Sequence, residues 1–329
     1  LGSPYTNTIA AGALSSSAGT NGVAATAKLF VNPPQPPSIS KSFSPNRIGV
    51  GGTSVLTISL GNGNATAAIL TANLVDTLPA NVVVAATPGI AGTCAMGSVT
   101  ASAGGSTITY ASGANIPVGG CSIAVNVTSS VVNAAPGYTN TIPVNGLQTD
   151  VGNNNVKAED TLYVLTLPTV TKTFAPTTVL SGSTSVLTIS LANVNPSAIT
   201  LTSILTDNLP AGMVVATPNG LAGTCTAGSV TAVAGSAIVS YASGASIPNG
   251  GCTIIVNVNA AASGVYTNTI AAAALKTSGG NNPASTSATL TAAVVPAAIP
   301  SFDQMPGITS PRLMQAGRNA SPPRINPAL

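Results

Sequence analysis

A chain of 329 residues, 44% of them hydrophobic, has room for about two ordinary domains with cores of their own, yet it contains no Trp, no His and only four Phe. Charged residues make up 5%, against about a quarter in ordinary soluble domains, and a net charge of +3 is too small to hold nucleic acid or an anionic membrane. The absence of His removes the commonest general base and the Ser/His/Asp arrangement together, and no apolar run is long enough for a membrane-spanning helix.

The apolar residues are mostly Ala, Val, Ile and Leu interleaved with Ser and Thr, and 34 Gly and 25 Pro punctuate the chain at turn intervals. Small branched side chains and scarce helix formers predict an all-β protein. Residues 1–31 hold YTNTI from Tyr5, a Gly/Asn/Ser loop and the alternating run TAKLFV. The same pattern returns at Tyr138 with DTLYVL and at Tyr266 with SATLTA, so residues 1–31 read as the closing two strands of an incomplete unit. The Pro-rich residues 32–38 form a stiff linker of polyproline type.

The first repeat, residues 39–167, opens with ISKSFSP and runs into TSVLTISLGNGN, where Leu56, Ile58 and Leu60 alternate with Thr57 and Ser59. That period of two is a half-buried strand. Ile69 to Pro88 adds strands around a Leu-Pro-Ala turn, and CSIAVNVTS alternates again. The second repeat, residues 168–295, runs through the same motifs as VTKTFAP, TSVLTISLANVN, ILTDNLPAGMVVATP and CTIIVNVNA. About eight short strands per unit, spaced by turn signals, predict a β-sandwich. Residues 296–329 are Pro-rich without periodicity, a composition that leaves a segment unstructured on its own.

The strongest repeat signal is Gly92–Cys121, which returns as Gly223–Cys252 with twenty of thirty positions identical and an offset of 225 − 94 = 131. Two cysteines per unit, 121 − 94 = 252 − 225 = 27 residues apart, fit one disulfide in each: Cys94 with Cys121 and Cys225 with Cys252. Metal binding lacks both His and a close Cys pair. Disulfides place the chain in an oxidising compartment, and closing such a loop stabilises a unit by about 3 to 4 kcal/mol. The chain starts at Leu1 without a basic-plus-apolar leader, which is expected of a protein whose signal peptide has been removed or of a piece of a longer one.

Several motifs recur in order: Lys-x-Phe-x-Pro, a Leu-Thr-Ile strand, an Asn-containing turn, Asp-x-Leu-Pro-Ala and a closing Tyr-Thr-Asn-Thr. In them the chain resembles the bacterial surface "conserved repeat" family of unknown function, number eleven of its naming series, in a cysteine-bearing variant. The resemblance covers Ser38 to about Val295 and the end of the incomplete unit. It implies tandem immunoglobulin-like sandwiches on secreted or cell-surface proteins, serving as stalk, adhesin or fibre, with no enzyme activity and no cofactor.

Among so few charges, only Lys41 with Lys172 and Asp76 with Asp207 recur at the offset of 131, and Asn140 recurs as Asn268. Lys on an opening strand, an acid on a middle strand and Asn near the end match two arrangements. One is an intramolecular isopeptide bond, in which a buried carboxyl polarises the Asn amide toward a neutral Lys amine. The other is an ion pair beside a turn-forming Asn. Asp150, Glu159 and Asp160 crowd one loop of the first repeat with Asn153, Asn154 and Asn155, a weak Ca²⁺ candidate, because the matching loops lack the acids. A solvated turn accounts for it better. Asn64, Asn126 and Asn319 begin glycosylation sequons, which are short enough to arise by chance.

A two-strand remnant exposes an apolar face and unpaired edges. Either the remnant's own unit is missing because the chain was cut from a longer array, or another copy of the chain covers it, with the Pro-rich tail as part of the cover. Contacts of that second kind propagate head to tail into a filament. The alternative is a stalk segment of a larger surface adhesin. In either case the chain is expected outside the cell.

Overall fold

The computed structural model describes residues 4–30 and 33–296. The Pro-rich tail from residue 297 onward, and with it the expected cover over another copy, lies outside them. The fold is all-β, two immunoglobulin-like sandwiches in tandem, and a single 3-10 turn at Met96–Ser98 is the one helical element among the described residues.

Each sandwich has seven strands of four residues or more, together with two- and three-residue pieces. In the first, the opening strand Ser38–Ser44 pairs antiparallel with the central strand Thr53–Gly61, setting Lys41 opposite Ile58. The central strand pairs in turn with Cys121–Thr128, setting Leu60 opposite Cys121. After Pro45 the chain crosses to the other layer, where Arg47–Gly49 runs parallel to the last strand, Ala158–Leu165. That strand forms the closing hairpin with Asn133–Ile142, against which lies the acid-bearing strand Leu74–Thr77, itself paired with Thr107–Tyr110. The second repeat reproduces the pattern, with Thr178–Leu180 parallel to Thr286–Ala293. The expected eight strands resolve into seven plus fragments because Gly and Pro interrupt the stretch around Pro88 and Gly92.

Alternation explains the core. Leu56, Ile58 and Leu60 point inward with at most 2% exposure, and each such side chain contributes about 1.5 to 3 kcal/mol by leaving water. Two separate cores result, the first ending at Val164 and the second beginning at Leu165. The fully buried Tyr110 and Tyr241 supply bulk, and their hydroxyls donate to the Asn115 and Ser246 carbonyls at 2.7 and 2.6 Å.

The expected disulfides, Cys94–Cys121 and Cys225–Cys252, are both formed. Each ties the start of the cysteine strand to the segment two residues after Gly92 or Gly223. Both glycines have positive φ, +131 and +120, and a Cβ there would sit 2.1 or 2.2 Å from a backbone oxygen of the cysteine strand. The Gly-Thr-Cys motif therefore requires its glycine on two counts.

Tyr5–Ile9 and Ala25–Leu29 form a hairpin in the register of the closing hairpins, with Tyr5 opposite Leu29 as Tyr138 is opposite Leu162. One asparagine holds its loop. Asn21 accepts the Leu14 N–H and donates to the Ala10 and Val23 carbonyls, as Asn154 does to Leu147, Pro143 and Val156, and Asn282 to Leu275, Ala271 and Ala284.

Candidate functional site: a buried lysine, aspartate and asparagine in each unit

Lys41 stands in phase with Ile39 and Phe43, Asp76 with Leu74 and Leu78, and Asn140 with Tyr138 and Ile142, and all of these residues are buried. Three polar side chains thus occupy positions that alternation assigns to the core. Lys41 reaches across from the first layer to meet Asp76, which projects, like Asn140, from the second. The Lys41 Nζ donates to Asp76 Oδ1 at 2.7 Å, and Asn140 Nδ2 donates to Asp76 Oδ2 at 3.0 Å. The Lys41 and Asp76 side chains are both 0% exposed.

The second repeat matches. Lys172 donates to both oxygens of Asp207 at 2.7 and 2.8 Å, and Asn268 Nδ2 donates to Asp207 Oδ2 at 2.9 Å. The Oδ1 atoms of Asn140 and Asn268 are buried, and among the described residues both lack a hydrogen-bond partner. Burial pushes both lysines below their ordinary value of 10.5, against the opposing charge and hydrogen bond of Asp76 or Asp207 and, for Lys41, the added charge of Asp160.

The loop acids do not converge. Asp150 accepts the Ile69 N–H at 2.8 Å, Glu159 pairs with Lys157 at 2.8 Å on the surface, and Asp160 accepts the Phe43 N–H at 2.6 Å and its neighbour's N–H. Asn154 is buried as the hairpin clamp. Among the described residues no three His, Cys, Asp or Glu side chains group as a metal site.

A second constellation escaped the reading of the sequence. Asn64 accepts the Gln35 N–H at 2.7 Å and donates to the Gln35 carbonyl at 2.9 Å. Asn195 does the same with Thr166, at 2.8 and 2.9 Å. Each asparagine clasps the backbone of the segment leading into its own unit. Asn64 to Asn195 is the same offset, 195 − 64 = 131, as that between the lysines.

Residues 37–164 and 168–292 both match the family model described as a domain of unknown function (DUF7933), and the chain belongs to that family. The match does not name the numbered surface-repeat family that the motifs resemble. No curated protein sequence matches. Among solved structures, the chain is similar to the C-terminal domain of the AgI/II polypeptide BspA of Streptococcus agalactiae, at 12% identity and a TM-score of 0.30, covering 78% of this chain and 100% of that one. It is also similar to a putative membrane anchored protein from Corynebacterium diphtheriae, at 12% identity and a TM-score of 0.24, covering 84% and 95%. A third is the Yersinia pseudotuberculosis adhesin InvE, at 14% identity and a TM-score of 0.24, covering 77% and 58%. At such scores the fold assignment rests on the chain's own strand pairing.

Proposed function

We propose that the chain is a structural segment of an extracellular, cell-surface array of immunoglobulin-like units, which carries load and turns over no substrate. The observation that carries this reading is the backbone clasp, made by Asn64 on Gln35 and by Asn195 on Thr166 with the same four hydrogen-bonding atoms. A clasp repeated at successive units sets one geometry of succession, as a rod needs. The two disulfides and the 5% charge suit an oxidising exterior and close packing against like surfaces.

In its finer form the chain is the subunit of a head-to-tail filament. Tyr5, Ile9 and Leu29 are 71%, 54% and 64% exposed, although their counterparts Tyr138, Ile142 and Leu162 are buried. Covering that face with a second copy would propagate contacts that do not close. The second reading, a stalk segment of a larger adhesin, is favoured by the Asn21 clamp. It gives the hairpin the form of a unit's closing end, which the front strands of that same unit would cover.

Negative-stain microscopy and sedimentation across a concentration series separate the two. Filaments that lengthen with concentration support the subunit reading. Short rods at every concentration reject it and leave the stalk.

A further inference from the structure

The buried Lys-Asp-Asn sets remain to be accounted for, and as ordinary ion pairs they are poorly satisfied. A lysine ammonium carries three N–H donors, and among the described residues Lys41 and Lys172 find no acceptor other than the paired aspartate. Asn140 Oδ1 and Asn268 Oδ1 find no donor. Deep burial makes both shortfalls costly, because an unsatisfied buried polar group loses its hydrogen bonds to water without replacement. Two independent units nevertheless keep the same arrangement. The Asp carboxyl sits between amine and amide, one oxygen to each in the first repeat.

We infer that each unit closes an intramolecular isopeptide bond, Lys41 to Asn140 in the first repeat and Lys172 to Asn268 in the second. Moving one proton from the ammonium to the aspartate gives a neutral amine and a neutral carboxylic acid, which desolvation favours over two buried charges. Turning the asparagine amide about its terminal torsion exchanges N for O and brings the carbonyl oxygen to the acid proton. The donor that Oδ1 lacks is thereby supplied.

The amine lone pair then attacks Cγ, and the carbonyl π pair moves onto Oδ1, held by the Asp O–H. Collapse of the tetrahedral carbon expels Nδ2, which takes up the proton lost by Nζ through the carboxyl relay and leaves as ammonia. One C–N bond forms and one breaks, Lys-NH₂ and Asn-CONH₂ giving Lys-NH-CO and NH₃. No oxidant, metal or cofactor enters. Asp76 and Asp207 are the catalytic residues, and the reaction runs once per unit.

The bond joins the opening strand of one layer to the closing hairpin of the other. It spans 140 − 41 = 99 residues in the first unit and 268 − 172 = 96 in the second, so each sandwich up to the first strand of its closing hairpin lies inside a covalent loop. Tension along the chain would pass through that bond and spare the strands inside the loop, leaving only the last strand, Ala158–Leu165 or Thr286–Ala293, under load.

Intact mass of the full chain, reduced and denatured, tests the assignment. The expected value lies below the sequence mass by two molecules of ammonia, and a tryptic digest contains the Lys41 and Asn140 peptides joined. Lys41→Ala restores one ammonia and Lys41→Ala/Lys172→Ala restores both. The unshifted sequence mass in the native chain overturns the inference. So does an ammonia deficit that persists in the double variant, since succinimide closure at Asn145-Gly146 or Asn219-Gly220 would then account for it.

Discussion

Gly49 of the first repeat lies against Gly280 of the second so closely that a Cβ on Gly49 would stand 3.1 Å from the Gly280 Cα, 2.6 Å from the Gly279 carbonyl oxygen and 2.5 Å from Leu167 Cδ2. Gly49 ends the short strand that runs parallel to Ala158–Leu165, and Gly280 lies in the hairpin loop held by Asn282. The contact between repeats is therefore made of backbone and the Leu167 side chain, at a spot where neither glycine could carry a side chain.

Gly49→Val should pry this contact apart while leaving both cores intact. Forcing extra methyls into a packed site costs about 1 to 3 kcal/mol, and here the junction absorbs it. Broad-specificity proteolysis should gain a cut between the repeats, and small-angle scattering should show a wider spread of end-to-end distance. Unchanged cleavage and scattering would mean that the backbone contact does not set the junction.

The disulfides act inside single units, so their removal should be felt one unit at a time. On the chain-entropy model a loop of 27 residues gives about 3.5 kcal/mol. Cys94→Ala/Cys121→Ala should lower the unfolding transition of the first repeat by that order and leave the second alone. Resolved calorimetric transitions check it, and equal shifts in both would contradict independent stapling.

Much of this was legible in the chain. The cysteine pairs and the lysine, aspartate and asparagine were found by their recurrence, and inward phasing, as in Ile39-Lys41-Phe43 and Leu74-Asp76-Leu78, carries the burial of the site in the same residues. The parallel pairing of Arg47–Gly49 was not legible, because a three-residue strand beyond a proline has no period to read and its partner lies more than a hundred residues later. Nor was the clasp, since Asn64 and Asn195 sit in turns, where asparagine is ordinary for local reasons. Asp150 and Glu159 misled in the opposite direction. Short spacing in sequence placed them together, and the hairpin sends one to the Ile69 amide and the other to Lys157.

The exposed face of the first hairpin gives a test that leaves the repeats untouched. Ile9→Lys/Leu29→Lys places two like charges on that face, whose wild-type residues are 54% and 64% exposed. Self-association, if it runs through this surface, should weaken at least tenfold by sedimentation, with the melting of both repeats unchanged. Equal association in variant and parent would move the contact elsewhere on the molecule.

Asp160 stands opposite Asn140, where the second repeat has Ala288 opposite Asn268. Lys41 thus faces two carboxylates, Asp76 and Asp160, and Lys172 faces Asp207 alone. In a chain that cannot close the bond, Asn140→Ala/Asn268→Ala, both lysines titrate, and burial holds them below 10.5 in the folded state. Between the folded value and 10.5 the unfolded chain binds more protons, so the lysines' contribution to stability rises with pH across that window and is flat below it. Unfolding just below 10.5 should therefore take up protons, at most one for each lysine. Calorimetric unfolding in buffers of different ionisation enthalpy measures the uptake. It should shrink in the Lys41→Met/Lys172→Met counterpart, and proton release by the asparagine variant would show that its lysines are held above 10.5, with attraction to the carboxylates outweighing desolvation.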